Sequence, residues 1–497
     1  MNETTTTQQN KAPKTIVIAG GGTAGWMAAS LMHHRWAKFG THICLVESPS
    51  IGIIGVGEGS TPTLKRFFDD LHISEQEWMS ECNATYKVNI EFAGWSPQSG
   101  IEAYSHPFLS QVDTFSEPHF FTNCLTRRHG VSVNTTPSDF FLNGWLAKHR
   151  HDPVAAPTFP FAVEYGYHFD SALLGQFLAK RASQLGVKHI QANIEHVELT
   201  KQGNISHLVL DNGEQVQGDF FVDCTGFDAL LMQKHLKQGF TPFKDNLFND
   251  AAIAIPSASL TDFSPQTKAT ALSNGWAWQI PLQHRTGNGY VYSSSFINKE
   301  DAEKELRQHL GMLDADVQAR HLKMNVGQIE KHWHQNCLAI GLSQGFIEPL
   351  EATALHLTQI SIEMFMDEFE DGHFSDQHQS RFNQAMAERY ERVRDYIVAH
   401  YKLNTRQDSD YWRENRDNMK LSDSLLQLLT VWYERGDLRQ EIYRQGLQMH
   451  FGVSSWHCLL AGYGAFPSLR PDDLTVADQF EEHKLAEMFK GCLLNFK

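Results

Sequence analysis

The stretch Thr15-Ile16-Val17-Ile18-Ala19-Gly20-Gly21-Gly22-Thr23-Ala24-Gly25 is a short β-branched apolar run that empties into a glycine turn. Such a run suits a strand buried on both faces of a parallel sheet. Trp26-Met27-Ala28-Ala29-Ser30-Leu31 then opens a helical pattern. Gly20, Gly22 and Gly25 stand in G-x-G-x-x-G order. In a strand–turn–helix setting, Gly20 permits the tight turn, Gly22 admits a pyrophosphate close to the backbone, and Gly25 lets helix and strand pack. Thr23 and Ala24 then sit at a helix start whose free N–H groups face the phosphates. A second strand is predicted at His42-Ile43-Cys44-Leu45-Val46-Glu47, followed by Ser48. Glu47 suits ribose hydroxyls and would repel a 2′-phosphate, which disfavours NADP. The pattern predicts an α/β chain with a dinucleotide at its N-terminal end; the bland alternative is a glycine turn that holds no nucleotide.

The 497 residues suffice for two or three structural units around a large core. Lys and Arg number 42 against 58 Asp and Glu, a net charge of −16. That acidity argues against nucleic acid and, more weakly, against anionic membranes. Seven scattered cysteines with no C-x-x-C pair suit a reducing compartment. No apolar run is long enough to span a bilayer, and the polar lead 1–13 has no hydrophobic core of a secretory signal. The expectation is a cytoplasmic enzyme with a disordered lead.

Further motifs follow. Val56-Gly57-Glu58-Gly59-Ser60-Thr61-Pro62 is a second glycine loop, with Glu58 at its centre. Asn83-Ala84-Thr85-Tyr86-Lys87 places a lysine in an aromatic stretch between Trp78 and Trp95, although a lone lysine is ordinarily a solvated surface group. Ser105-His106-Pro107-Phe108 and Trp276-Ala277-Trp278-Gln279-Ile280-Pro281 are aromatic walls that plain core packing would also explain. Gly218 to Phe227, with Asp223-Cys224-Thr225-Gly226, and Cys337 to Phe346 each read as a strand ending in a glycine turn. Ile347-Glu348-Pro349-Leu350-Glu351-Ala352-Thr353-Ala354 then leads into apolar residues at helical spacing. Thr353 and Ala354 therefore fall where unpaired N–H groups can hold an anion. Taken alone, Glu351 reads equally well as an acid placed against a helix dipole.

From Lys14 to Trp412 these motifs resemble, in order and spacing, the flavin-dependent halogenases of the tryptophan-halogenase-like family. The resemblance implies the FAD-binding flavoprotein monooxygenase (GR2-type) fold with a mostly helical C-terminal region. It implies a cofactor site at Gly20, Gly22, Thr23, Ala24, Gly25, Glu47, Ser48, Glu58, Val197, Leu342 and Leu355. It implies catalytic roles for Lys87 and Glu351. Thr353 and Ala354 would bind chloride or bromide, and His106, Phe108, Trp276 and Trp278 would line the substrate path. FADH2, supplied by a separate reductase, would act with O2 to oxidise the halide. Hypohalous acid would then pass to Lys87, which holds it over one carbon of an electron-rich aromatic such as an indole. Desolvation would lower the pKa of that amine. Two departures stand out: Ala352 replaces the family's serine and Ala354 its glycine.

The resemblance divides the chain into the lead 1–13, a discontinuous FAD module 14–366 with inserted substrate-wall segments, and a helical region 367–497. Free-tryptophan halogenases clasp the amino-acid end of their substrate with a Y-Y pair, a glutamate and an F-W pair in the C-terminal third. Trp432-Tyr433-Glu434 and Phe451 to Trp456 do not reproduce that arrangement. Free L-tryptophan is therefore disfavoured as substrate. A homodimer is compatible with the reading. The alternate-residue histidines His149/His151 and His332/His334 lack a third ligand at metal spacing and read as surface residues, so no metal is expected. Two rival functions remain: an aromatic hydroxylase on the same fold, and a flavin-binding protein without halogenase activity.

Overall fold

In the computed structural model, residues 12–50, 57–469 and 479–497 are described. Most of the polar lead and Val56 of the second glycine loop lie outside them. The expected strand Thr15–Ala19 sits inside a six-stranded sheet, between Phe220–Asp223 and His42–Glu47, both parallel to it. Lys188–Gln191 extends the sheet on one side, and Cys337–Ala339 with Trp333–His334 on the other. Ile16, Val17, Ile18 and Ala19 are fully buried, as an interior parallel strand requires. The helix Thr23–Trp36 leaves the glycine turn and packs against Ser171–Leu185 and Thr353–Asp371.

A seven-stranded, mainly antiparallel sheet forms the second layer. It contains Ala251–Ser257, Thr286–Tyr292, the tryptophan strand Gly275–Pro281, Gln266–Leu272, Asn89–Ala93 and Ala103–Pro107. Against it packs a three-stranded sheet: Gly57–Gly59, Gly166–Asp170 and Thr85–Lys87. This small sheet joins the second glycine loop to the lysine strand, with Gly59 opposite His168, His168 opposite Thr85, and Lys87 opposite Gly166.

Beyond residue 371 the described chain is helical, led by Gln379–Lys402. The expected boundary at 366/367 falls inside the helix Thr353–Asp371, which ends only at Gly372. One apolar cluster runs from Ile16 to Tyr463, so the helical region shares its core with the sheets. The last helix, Gln479–Leu493, packs back on Leu142–His149. All seven cysteines are free thiols and six are buried, consistent with their reading as small apolar residues.

Candidate active site

At the glycine turn each residue meets a different constraint. Gly20 has φ +111°, and a Cβ there would lie 2.2 Å from the Cys224 carbonyl oxygen. A Cβ on Gly25 would lie 2.0 Å from the Gly20 oxygen. Both are excluded by hard-sphere contact inside the fold. Gly22 differs: a Cβ would meet nothing within 4 Å. It caps the helix with no side-chain hydrogen bond, so the first N–H groups, at Thr23 and Ala24, have no side-chain cap. That uncapped cradle fits a pyrophosphate. Ala24 also touches the turn after Cys337–Ala339, since a Cβ on Gly341 would lie 2.8 Å from its methyl. Glu47 lies against Gly21 and accepts from His189 Nε2 at 2.9 Å. The Ser48 hydroxyl donates to Asn193 Oδ1 at 2.5 Å. Leu342 and Leu355 flank the Ile347–Ala352 segment and are half-buried. Val197 turns its side chain into the apolar cluster with Val17 and Val46, so only its main chain can meet a cofactor.

Glu58 is half-buried on the three-stranded sheet; burial pushes its carboxyl up to about 7, against the hydrogen bond from Ser171. Asp223, beside Cys224, ties the strand Phe220–Asp223 to its turn. One oxygen accepts from Thr225 and Ser343, the other from the amides of Leu231 and Met232.

Lys87 is fully buried. Its Nζ donates to the Ser60 carbonyl at 3.2 Å and lies 5.3 Å from the centre of the Phe108 ring. Gly166 makes the first contact possible, because a Cβ there would lie 2.5 Å from the same Ser60 oxygen. Burial lowers the amine to about 7, opposed by the Glu351 carboxylate, which is beyond ion-pair distance. Thr85 donates to the Pro281 carbonyl at 2.7 Å, fixing the lysine strand to the end of the tryptophan strand. His168, on the strand paired with it, contacts Thr85 and Thr267, and burial together with the Lys87 charge keeps it neutral.

Glu351 sits between two imidazoles. His106 Nδ1 lies 2.9 and 3.1 Å from its two oxygens, and His400 Nε2 lies 2.9 Å from Oε1. Burial alone would raise this carboxyl, but the charge of and hydrogen bonds from His106 and His400 carry it down to about 2. Glu348, three residues earlier, is just as buried but accepts only from uncharged donors: Trp276 Nε1, Asn249 Nδ2 and Tyr401 OH, all on Oε2. Burial outweighs those bonds and raises it. The bond from Trp276 anchors the tryptophan strand, while the Trp278 ring lies across Gly289 of the neighbouring strand. Both indoles lie on one face of the sheet, with centres 6.3 Å apart.

Thr353 and Ala354 open the helix Thr353–Asp371 as expected. Ala352 caps it in the left-handed region, at φ +56°, where a residue with a Cβ is strained. The buried Thr353 hydroxyl has no partner among the described residues. An unpartnered hydroxyl beside free helix amides fits a small anion.

The structure thus gathers Lys87, Phe108, His106 and Glu351 into one largely buried group, a lysine chamber built on elements other than the glycine turn. The sequence by itself assigns no role to Ser60, Gly166, His168 or His400. Only strand pairing and helix packing bring these residues to the lysine and the glutamate. One expectation is corrected: His332 is not at the surface. It is fully buried, stacked on Tyr390 and hydrogen-bonded to Gln328, because the short strand Trp333–His334 folds under Gln379–Lys402. Among the described residues no cluster of His, Cys, Asp and Glu could hold a metal, and no helix is long and apolar enough to cross a membrane.

Comparison with known proteins shows the family. The family model described as tryptophan halogenase matches residues 15–478. The chain is 35% identical to tryptophan 6-halogenase SttH of Streptomyces toxytricini, over 94% of this chain and 92% of that protein. It is 33% identical to tryptophan 7-halogenase RebH of Lentzea aerocolonigenes, over 91% and 90%. The crystal structure of SttH superposes with a TM-score of 0.83 at 32% identity, covering 98% of each chain. BrvH, a flavin-dependent halogenase from Brevundimonas sp. BAL3, superposes at 0.80 with 32% identity, covering 97% of this chain and 96% of that one. Matched along nearly its whole length in sequence and fold, the chain belongs to the tryptophan halogenase family and is a flavin-dependent halogenase.

Proposed function

We propose that this enzyme halogenates an electron-rich aromatic, an indole without a clasped amino-acid end, through the amine of Lys87. The observation that carries this reading is the buried Lys87, held by one hydrogen bond over the Phe108 face with its pKa lowered to about 7. An amine that is substantially neutral at pH 7 is nucleophilic, and one sealed from water does not lose its halogen to solvent. Gly20–Gly25 with Glu47, Ser48, Glu58, the Val197 main chain, Leu342 and Leu355 would hold FAD, which when reduced would supply with O2 the two-electron oxidation of halide to hypohalous acid. A separate reductase delivers the reduced flavin. Thr353 and Ala354 hold chloride or bromide on their amides. Lys87 takes the halogen and presents it to the ring, which Phe108 and His106 flank. Glu351 stays ionised between its imidazoles and stabilises positive charge at the lysine and ring.

The C-terminal third supports a substrate other than the free amino acid. Trp432 and Trp456 are core residues, and Phe451 stacks on Tyr396 with centres 3.6 Å apart. Tyr433 and Glu434 point outward, Tyr433 with 54% of its surface exposed. No carboxylate or phenol from these segments is left to clasp an ammonium group.

The test is mass spectrometry of indole and L-tryptophan incubated with the protein, FAD, a flavin reductase, NADH, O2 and bromide or chloride. A Lys87→Ala variant runs alongside. Halogenated indole that disappears in the variant supports the reading. Halogenated product that persists without Lys87 overturns the lysine route. L-Tryptophan turned over faster than indole overturns the substrate assignment.

A further inference from the structure

Glu351 belongs to a chain of hydrogen bonds that runs away from the lysine. Tyr463 OH lies 3.0 Å from His400 Nδ1, and His400 Nε2 lies 2.9 Å from Glu351 Oε1. Glu351 in turn meets His106 Nδ1. The protons of this chain run one way. Tyr463 is a buried phenol whose pKa is raised by burial and by the Glu351 charge, so it donates. His400 is fully buried and burial favours its neutral form; accepting from Tyr463 at Nδ1, it donates from Nε2. The carboxylate can only accept, so His106 also donates to it, from Nδ1. In its neutral form His106 is thereby fixed in the tautomer with its lone pair on Nε2, and its charged form, the one that lowers Glu351, is the state after it has taken a proton. That nitrogen makes no hydrogen bond with any described residue, and the side chain keeps 11% of its surface open. His106 and Phe108 are two residues apart, so they face the same side of the sheet edge, and Phe108 is the ring beneath Lys87 Nζ.

Resting on the halogenase reading above, we infer that His106 is the general base of the reaction, taking at Nε2 the proton that the aromatic ring must lose. Glu351 orients the imidazole and stabilises the imidazolium, in the manner of a carboxylate–histidine pair. In the first step the ring carbon bonds to the halogen and the N–halogen bond of the protonated Lys87 haloamine, –NH2X+, breaks; the bonding pair stays on nitrogen, which returns as the neutral amine, and the ring carbon is left cationic, bearing both hydrogen and halogen. In the second, the C–H pair returns to the ring and the proton passes to His106. Both Glu351 oxygens already face imidazole nitrogens; the free His106 Nε2 is on the open side.

The experiment uses the full chain with FAD, reductase, bromide, and indole or ring-deuterated indole. Free hypohalous acid is read in parallel by bromination of monochlorodimedone. For His106→Ala the expected result is a loss of indole turnover of roughly a hundredfold, with dimedone bromination retained. A normal deuterium isotope effect absent from the wild type appears, and added imidazole partly restores the rate. His106→Gln, which keeps a donor for Glu351 but has no base, should lose the same turnover without being rescued. Wild-type-like turnover in both variants overturns the proposal. So does a fall in turnover with no isotope effect and no rescue, which would make His106 a positioning residue for the ring. Wild-type protein that brominates neither probe overturns the halogenase reading itself, a distinct result.

Discussion

At the glycine turn the working groups are main-chain amides of one contiguous stretch, Gly20–Gly25. Around Lys87 they are side chains and a carbonyl drawn from Ser60, His106, Phe108, His168, Glu351 and His400. The turn binds through shape: two of its glycines exclude any Cβ, and Gly22 opens onto space. The lysine chamber works through desolvation, which moves an amine down to about 7 while two imidazoles hold a carboxylate at about 2. The same contrast recurs within one short segment. Glu348 and Glu351 are three residues apart and both buried, yet one is raised and the other lowered. Indole, amide and phenol donors do not offset the desolvation of a charge, whereas imidazoles that can carry charge do.

The comparison can be broken most sharply at Lys87. Lys87→Met should reduce halogenated product by roughly a thousandfold, while FAD titration gives wild-type affinity. Parallel loss of FAD affinity would show that the chamber and the turn are one coupled site.

Within the turn, Gly25→Ala should destabilise the protein by about 3 kcal/mol, because backbone must move to admit the methyl. Gly22→Ala should leave the melting temperature of the flavin-free protein nearly unchanged and weaken FAD binding at least about tenfold, the methyl entering only the ligand's space. Equal melting temperatures for the two variants would contradict the assigned roles.

The lysine should also destabilise the fold that uses it. Between pH 10.5 and about 7 the unfolded chain protonates this amine and the folded one does not. The unfolded state therefore binds more protons, and stability rises with pH across that window. The penalty is absent above pH 10.5 and complete below about 7. Lys87→Met should accordingly raise the stability of the flavin-free protein at pH 7 by about 4 kcal/mol, and by only about 1 kcal/mol at pH 9.5. Denaturant melts at both values check it; a gain independent of pH would assign the effect to packing alone.

The smallest effect is expected at Glu348. Glu348→Gln keeps an acceptor for Trp276, Asn249 and Tyr401 and removes a charge the site does not favour. It should change stability by less than about 1 kcal/mol and turnover by less than about threefold. Glu351→Gln, which leaves two imidazoles facing an amide, should cost far more turnover.

The sequence alone determined the strand Thr15–Ala19, its glycine turn, the strand His42–Glu47 and the helix start at Thr353. Each is local: a β-branched run, a φ only glycine adopts readily, a change of apolar period. It also marked Lys87, Glu351, His106 and Phe108 as residues in one family pattern. It placed His332 on the surface, because an alternating His-x-His carries no information about the helix that covers it. It passed over Ser60, Gly166 and His400, whose parts exist only through pairing at long range: Gly166 lets a carbonyl reach a lysine 79 residues before it, and His400 meets Glu351 across two helices. Tertiary structure alone decided the protonation states of the site. Burial and the charge of neighbours set them, and neither is a property of any short stretch of chain.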